Sequence, residues 1–200
     1  MPVTKSPTTA TNLTLSVPNA VSWGSPTWGL TSDDLYATVP FSDSTATGSD
    51  RLSKVPSHYL YVSGFGFTLP VTAAIDGIEV TVERHGIGNT EDYNATLAYW
   101  STQVTLVSPG KPKSAVWPST DGTAVYGSAT DAWNRVWTPE EINSSSFGFA
   151  LAAEGVPDDF DAALVDSIKI TIYWHREINL SGTGGASVNG SHTKSLTYNT

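Results

Sequence analysis

Carboxylate, imidazole and indole side chains are the groups in this 200-residue sequence whose types and spacing could support chemistry. The carboxylates cluster at Asp33-Asp34 and at Asp158-Asp159-Asp161, and oxygen-rich loops of this kind can hold Ca²⁺. Neither cluster has the alternate spacing and the glycine of a calcium loop, and short acidic side chains also cap turns. We therefore expect solvated or turn-capping carboxylates and no metal, with a Ca²⁺ site as the alternative.

The four histidines do not form a recognisable ligand pattern. His58, His85, His175 and His192 lie at the ends of expected strands or in the C-terminal tail, and no two have the spacing of zinc ligands. The sequence also lacks a G-x-S-x-G elbow, a glycine-rich phosphate loop and an H-E-x-x-H motif. A carboxylate pair for glycoside hydrolysis could come from any of 19 acidic residues, so it predicts no particular site. We expect no enzyme activity and no cofactor.

The seven tryptophans are stronger candidates for ligand binding than the acidic residues. Trp117, Trp133 and Trp137 lie in the loop-rich middle of the sequence, where exposed rings could stack on the faces of sugars. The alternative is structural: Trp133 and Trp137 are four residues apart and flank an expected helix, so both rings could pack against the core. The three tryptophans are the possible ligand-stacking residues.

Two distant segments with alternating apolar residues determine the expected fold. In the segment 78–84, Ile78, Val80 and Val82 share one face of a strand, and the segment 168–174 repeats the pattern. Two β-branched strands so far apart favour an antiparallel sandwich in which both close a common core. Asp76-Gly77 predicts a turn before the first of them, and the segment 114–125 is expected to be mostly loop.

The fold class predicted from these patterns is all-β, an antiparallel, jelly-roll-like β-sandwich with one short helix and extended arms. Thr138-Pro139-Glu140-Glu141 has the cap, the first-position proline and the third-position glutamate of a capping box, so the helix should begin there. Residues 1–18 and 178–200 are rich in small polar residues and are expected to be extended arms. The sandwich domain then covers residues 19–177.

Composition and charge restrict the partners. Nineteen acidic and ten basic residues give a net charge of −9, which repels a phosphate backbone, so we expect no nucleic acid partner. No apolar run is long enough to span a bilayer, and the first residues lack the apolar region of a secretory signal. We therefore expect no membrane partner, and exit from the cell by lysis or particle assembly. Cysteine is absent, which removes disulfides and thiol chemistry.

One linear pattern runs through roughly residues 33–173 and continues in the Gly-rich tail. The residues of the pattern are, in order, Asp33-Asp34-x-Tyr36-Ala37, Phe65-Gly66-Phe67-x-Leu69-Pro70, Ala74-Ile75-x-Gly77-Ile78-x-Val80-x-Val82-x-Arg84, Tyr126-Gly127, Asp131-x-Trp133, Trp137-Thr138-Pro139, Ile142-Asn143, Phe147-Gly148, Val165-Asp166-x-Ile168-x-Ile170 and Gly184-Gly185-Ala186-x-Val188-x-Gly190-Ser191. Over residues 33–173 the pattern resembles small β proteins that are encoded in tailed-phage genomes and prophages. The tail is similar to Gly-rich segments that follow such domains in virion proteins.

The resemblance implies a virion structural protein. A sandwich with arms suits a capsid decoration or cement protein that is assembled into the virion in the host cytoplasm. Its expected partners are the major capsid protein and neighbouring copies of itself, as a homo-oligomer on the particle, with the arms lying across neighbours as added strands. The alternatives are a tail, neck or head-fibre component and a carbohydrate-binding module that uses the tryptophans.

Overall fold

The computed structural model of the chain describes residues 1–14, 20–41, 54–157 and 160–176. These residues form eleven β-strands, one α-helix and one 3₁₀ helix over Pro26–Leu30. In chain order the elements are β1 (Pro2–Lys5), β2 (Thr9–Leu13), β3 (Ala37–Pro40), β4 (Val55–Pro56), β5 (Tyr59–Ser63), β6 (Ala73–Ile87), β7 (Glu91–Trp100), β8 (Val104–Leu106), β9 (Gly122–Gly127), α1 (Pro139–Asn143), β10 (Gly148–Gly155) and β11 (Ala162–Arg176).

The strands form two antiparallel sheets that confirm the predicted sandwich. The first sheet has the order β1-β11-β6-β9, with β3 also paired to β11, and the second has the order β2-β5-β10-β7-β8, with β4 also paired to β10. From β5 onward the chain passes between the sheets at each step except the β7–β8 hairpin. This connectivity, with sequential strands distributed over two facing sheets, is that of a jelly roll.

The two alternating segments that predicted the core lie side by side in the first sheet. β6 and β11 pair along their whole lengths, with Val80 opposite Ile170 and Val82 opposite Ile168. All four of these side chains are fully buried. Because the pleat alternates, their shared face points to the second sheet, which provides the opposite layer of the core. Burying each such side chain contributes about 1.5–3 kcal/mol. The second layer includes Leu60, Val62, Leu97, Phe149 and Leu151.

The prediction of an N-terminal arm is wrong for residues 1–14. β1 pairs with β11 and β2 pairs with β5, so this segment extends both sheets of its own domain. Edge pairing is formed by backbone N–H and C=O groups, which every residue type except proline provides in full, so a small polar sequence can form it. Ala10 is buried and Val3 packs partly against the core. Residues 15–18 and the predicted C-terminal arm at 178–200 lie outside the described residues.

The predicted capping box is confirmed at α1. The Glu141 backbone N–H donates to Thr138 Oγ1 at 3.2 Å, and the Thr138 backbone N–H donates to Glu141 Oε2 at 3.1 Å. The last residue of the helix, Asn143, exchanges two side-chain hydrogen bonds with the backbone of Leu69, at 2.7 and 2.9 Å. The short helix is therefore attached to the segment that leads into β6.

Two local predictions fail because of tertiary contacts. Asp76-Gly77 is not a turn, since β6 runs through it from Ala73 to Ile87. A Cβ on Gly77 would lie 2.4 Å from the backbone of Ser128 and Ala129, so the glycine permits a close backbone approach. The segment 114–125, expected to be mostly loop, has its last four residues in strand β9 at the edge of the first sheet.

Candidate functional surfaces and a buried polar network

The three tryptophans predicted to stack on ligands are core residues. Trp117, Trp133 and Trp137 expose 3%, 0% and 4% of their surface. Each indole N–H has an internal acceptor: Trp117 donates to Asp92 at 2.8 Å, and the other two donate to main-chain carbonyls at 2.8 and 3.0 Å. Stacking on a sugar requires an exposed ring face, so the prediction of a ligand-stacking role for these residues is wrong. The alternative, in which they pack in the core, describes their positions.

A buried charged pair lies next to one of these tryptophans. Arg84 on β6 forms a salt bridge with Asp92 on β7, and the side chains are 4% and 0% exposed. The carboxylate also accepts from Trp117 Nε1 at 2.8 Å, from the Tyr126 hydroxyl at 2.9 Å and from the Lys113 backbone N–H at 2.8 Å. The Arg84 guanidinium lies 4.1 Å from the centre of the Trp117 ring, a cation–π arrangement. We call these five residues the core network.

The core network is suited to a structural role, because its opposite charges are paired with each other. Asp92 receives four donors, so its charge is compensated inside the sandwich. Burial raises the pKa of the Tyr126 hydroxyl, which keeps it protonated as a donor. Our sequence analysis missed this network, but a signal was present. Arg84 continues the alternation of Val80 and Val82 and so had to point inward, where a charge needs a partner.

A second polar group, the Tyr36 cluster, lies on the outer face of the first sheet. The Tyr36 hydroxyl donates to Asp121 Oδ2 at 2.7 Å, and His85 Nδ1 lies 2.8 Å from Asp121 Oδ1. The hydrogen bond from Tyr36, and then that from His85, lowers the pKa of the Asp121 carboxyl. The hydrogen bond to Asp121 also raises the pKa of the Tyr36 hydroxyl. An imidazole held by a carboxylate is the geometry of a general base, but no hydroxyl of the described residues is hydrogen-bonded to this imidazole.

The Asp33 carboxylate lies near this cluster and acts at a turn. Asp33 accepts hydrogen bonds from the Thr31 hydroxyl at 2.9 Å and from the Leu35 backbone N–H at 3.2 Å. Its own backbone N–H donates to Asp166, whose pKa is raised by burial and by the nearby Glu83 carboxylate. These contacts match the turn-capping role. Within residues 1–14, 20–41, 54–157 and 160–176, no three histidine or acidic side chains are arranged to hold a metal.

The second acidic cluster is described only in part. Asp158 and Asp159 lie outside the described residues, while Asp161 is 1% exposed. The Asp161 carboxylate accepts from the backbone N–H groups of Asn89 at 3.1 Å and Val156 at 2.8 Å. It therefore joins the β6–β7 turn to the loop before β11, which is a structural use of a buried carboxylate.

Exposed apolar side chains occur at the same end of the sandwich. Phe160 is 80% exposed, Ile87 is 51% exposed and Val116 is 48% exposed. Phe160 lies two residues before Ala162, which pairs with Ile87 at the end of β6. The Trp117 backbone N–H donates to the carbonyl of residue 90, which brings Val116 to the same turn. We call Phe160, Ile87 and Val116 the apolar end.

The backbone at the apolar end is held in an unfavourable conformation. Phe160 has a φ of 55°, a left-handed conformation that costs a residue with a side chain about 1–2 kcal/mol. The adjacent Asp161 holds it there, through its carboxylate and through its carbonyl, which accepts from the Phe41 N–H at 2.9 Å. Gly88, with a φ of 70°, leaves room for that carboxylate, since a Cβ there would lie 1.7 Å from Asp161 Oδ1. The buried contacts of Asp161 therefore maintain the strained conformation of Phe160.

No helix within the described residues is long and apolar enough to cross a membrane. Comparison of the chain with protein-family models, with curated proteins and with solved structures finds no match in any of the three.

Proposed function

We propose that this chain is a structural protein of a tailed-phage virion, a decoration protein bound to the outer shell of the capsid. Its partners are the major capsid protein and neighbouring copies of itself, and it joins the virion during assembly in the host cytoplasm. The linear pattern of residues 33–173 supports this proposal. So does the fold, because jelly rolls recur in viral capsid proteins, although a fold alone does not determine a function.

The single observation that carries the proposal is the apolar end. Phe160 exposes an aromatic ring to solvent from a strained backbone position that a buried carboxylate maintains. Such a ring is suited to a pocket on a partner, where it would contribute as an aromatic anchor. The N-terminal segment, which we expected to lie across neighbours, instead pairs with its own sheets and leaves the apolar end as the proposed contact with the shell.

The test is an add-back experiment with particles of the encoding phage that lack this protein. Purified chain is mixed with the particles, and the bound copies are counted by quantitative mass spectrometry. We expect saturable binding at one copy per major capsid subunit or a fixed fraction of it. Phe160→Ser should weaken binding by about 10- to 100-fold, because burying a phenyl side chain contributes about 1.5–3 kcal/mol of free energy. Val136→Ser removes a side chain that is 90% exposed near α1, and it should leave binding unchanged.

The possible outcomes separate the parts of the proposal. If the unmodified chain does not bind the particles, the decoration role is wrong. If Phe160→Ser binds as tightly as the unmodified chain, the role stands and the apolar end is not the contact. A protein of the tail, neck or head fibre would instead be present in tens of copies in the native virion, which mass spectrometry of intact particles measures directly.

The carbohydrate-binding alternative loses the residues that suggested it. The exposed tryptophans among the described residues are Trp28 and Trp100, at 48% and 57%. Trp100 ends β7 in the second sheet, whereas Trp28 belongs to the 3₁₀ helix, which contacts β11 of the first sheet and β2 of the second. β5 and β10 lie between β2 and β7, so the two tryptophans do not lie on one strand or on neighbouring strands, where a row of rings for a sugar chain would form.

A further inference from the structure

The outer edge of β9 is a sheet edge that none of the described residues pairs with. β9 pairs with β6 on one side over Gly122–Gly127, and none of the described residues forms a backbone hydrogen bond to its other side. All six residues are uncharged, and Val125 is 41% exposed on the outer face. A strand edge presents a row of free N–H and C=O groups, which can pair with another strand.

The other edges of the two sheets are protected in recognisable ways. β1 contains Pro2 and ends in Lys5, and both residue types oppose edge pairing. β3 is covered by Gly24, which exchanges two backbone hydrogen bonds with it. β2 is covered where Asn12 exchanges two hydrogen bonds with the backbone of Trp23. β4 and β8 have only two and three residues. In the part of the chain that the structure describes, β9 has none of these devices.

We propose that β9 pairs with β9 of a second copy of the chain, antiparallel about a two-fold axis. The net charge of −9 makes two copies repel each other over most of their surfaces, so self-association favours an uncharged edge. Asp121, the charged residue that precedes β9, already receives hydrogen bonds from Tyr36 and His85 within its own chain. Because β9 itself contains no charged residue, the paired edges of the two copies bring no like charges opposite each other within the strand.

The sequence of β9 is also self-complementary when the axis passes through Ala124. Thr123 of one copy then lies opposite Val125 of the other, and the reverse pair forms by symmetry. Pairs of β-branched residues on one face contribute about 0.2–1 kcal/mol each beyond the backbone hydrogen bonds. Ala124 and Tyr126 remain on the inner face, so both cores are undisturbed. The result is one continuous sheet with four strands from each copy along its main path.

Sedimentation velocity of the purified full chain, over a range of micromolar concentrations, tests the proposal without any particle. We expect a monomer–dimer equilibrium. Val125→Lys places a charge at the pairing site and should raise the dissociation constant at least about tenfold, since like charges and lost β pairs each cost of the order of 1 kcal/mol. Val71→Lys is the matched control at a side chain that is 92% exposed elsewhere, and it should not change the equilibrium.

A distance measurement identifies the interface independently. The chain has no cysteine, so Val125→Cys introduces a single site for a spin label. In the proposed register the two labelled residues are diagonal neighbours, with Cα atoms roughly 7–8 Å apart, and the labels should couple strongly. The proposal is overturned if the unmodified chain stays monomeric at every concentration. It is equally overturned if a dimer forms that Val125→Lys does not weaken or in which the labels do not couple.

Discussion

Removal of the Asp92 carboxylate should be among the most damaging single changes in this protein. Asp92→Ala leaves the Arg84 guanidinium buried without a counter-charge and also takes the acceptor from Trp117, Tyr126 and the Lys113 backbone N–H. Breaking a buried pair on one side costs about 3–5 kcal/mol, and each stranded neutral donor adds about 1–3 kcal/mol where water does not reach it. We expect a loss of at least about 3–5 kcal/mol from a total stability of about 5–15 kcal/mol.

Urea unfolding followed by circular dichroism measures this loss as a change in the free energy of unfolding. In a thermal scan the same change lowers the midpoint by roughly 6–20 °C for a chain of this size. The control is Asp76→Ala, which breaks the Asp76–His175 pair, whose side chains are 40% and 60% exposed. An exposed pair contributes about 0–1 kcal/mol, so this variant should remain close to the unmodified protein.

A double-mutant cycle distinguishes a charge pair from simple loss of packing. Arg84→Met leaves the Asp92 carboxylate with three of its four donors, so it should cost less than Asp92→Ala. The double variant Arg84→Met/Asp92→Leu removes both charges and should lose about 1–3 kcal/mol less than the sum of Arg84→Met and Asp92→Leu measured singly. The reasoning is refuted if Asp92→Ala destabilises by less than about 1 kcal/mol, or if the two single losses simply add.

Two further predictions concern glycines with positive φ and titrating carboxyls. Gly88→Ala should lower the free energy of unfolding in urea by more than Gly66→Ala. Both glycines have a positive φ, but a Cβ at Gly88 would lie 1.7 Å from Asp161 Oδ1, whereas a Cβ at Gly66 would have nothing within 4 Å. Equal losses for the two variants would contradict this. In a carboxyl NMR titration Asp121 should titrate below 3.8 and Asp166 above it. Asp121 therefore contributes stability that is lost as pH falls through its folded pKa, whereas the contribution of Asp166 is lost as pH rises through its folded pKa. A common titration midpoint for the two carboxyls would contradict the assignment.

The sequence contained most of the local structure because local structure depends on neighbours along the chain. Alternation of apolar residues with a period of two predicted β6 and β11, and their common inward face is confirmed. The capping box predicted the start of α1, since Thr138 and Glu141 satisfy each other's backbone groups without help from the rest of the molecule. Both signals are read within seven or fewer consecutive residues.

Predictions that depended on a segment's partners were the ones that failed. The residues 1–14 have too few apolar side chains to suggest a fold of their own, yet the open edges of β11 and β5 pair with their backbone. Gly77 resembles a turn residue, but its missing side chain admits the backbone of Ser128 and Ala129 inside a continuous strand. In both cases the deciding contact comes from more than forty residues away.

The sequence by itself determined an all-β sandwich with one capped helix, because strand and helix periodicities and caps are properties of short segments. Tertiary structure alone decided what each tryptophan does, since Trp117, Trp133 and Trp137 differ from the exposed Trp28 and Trp100 only in what packs around them. It also decided which residues share the core network and which sheet edge is left unpaired by the described residues. These properties depend on distances between residues far apart in the chain, and the order of residues along one segment does not contain such distances.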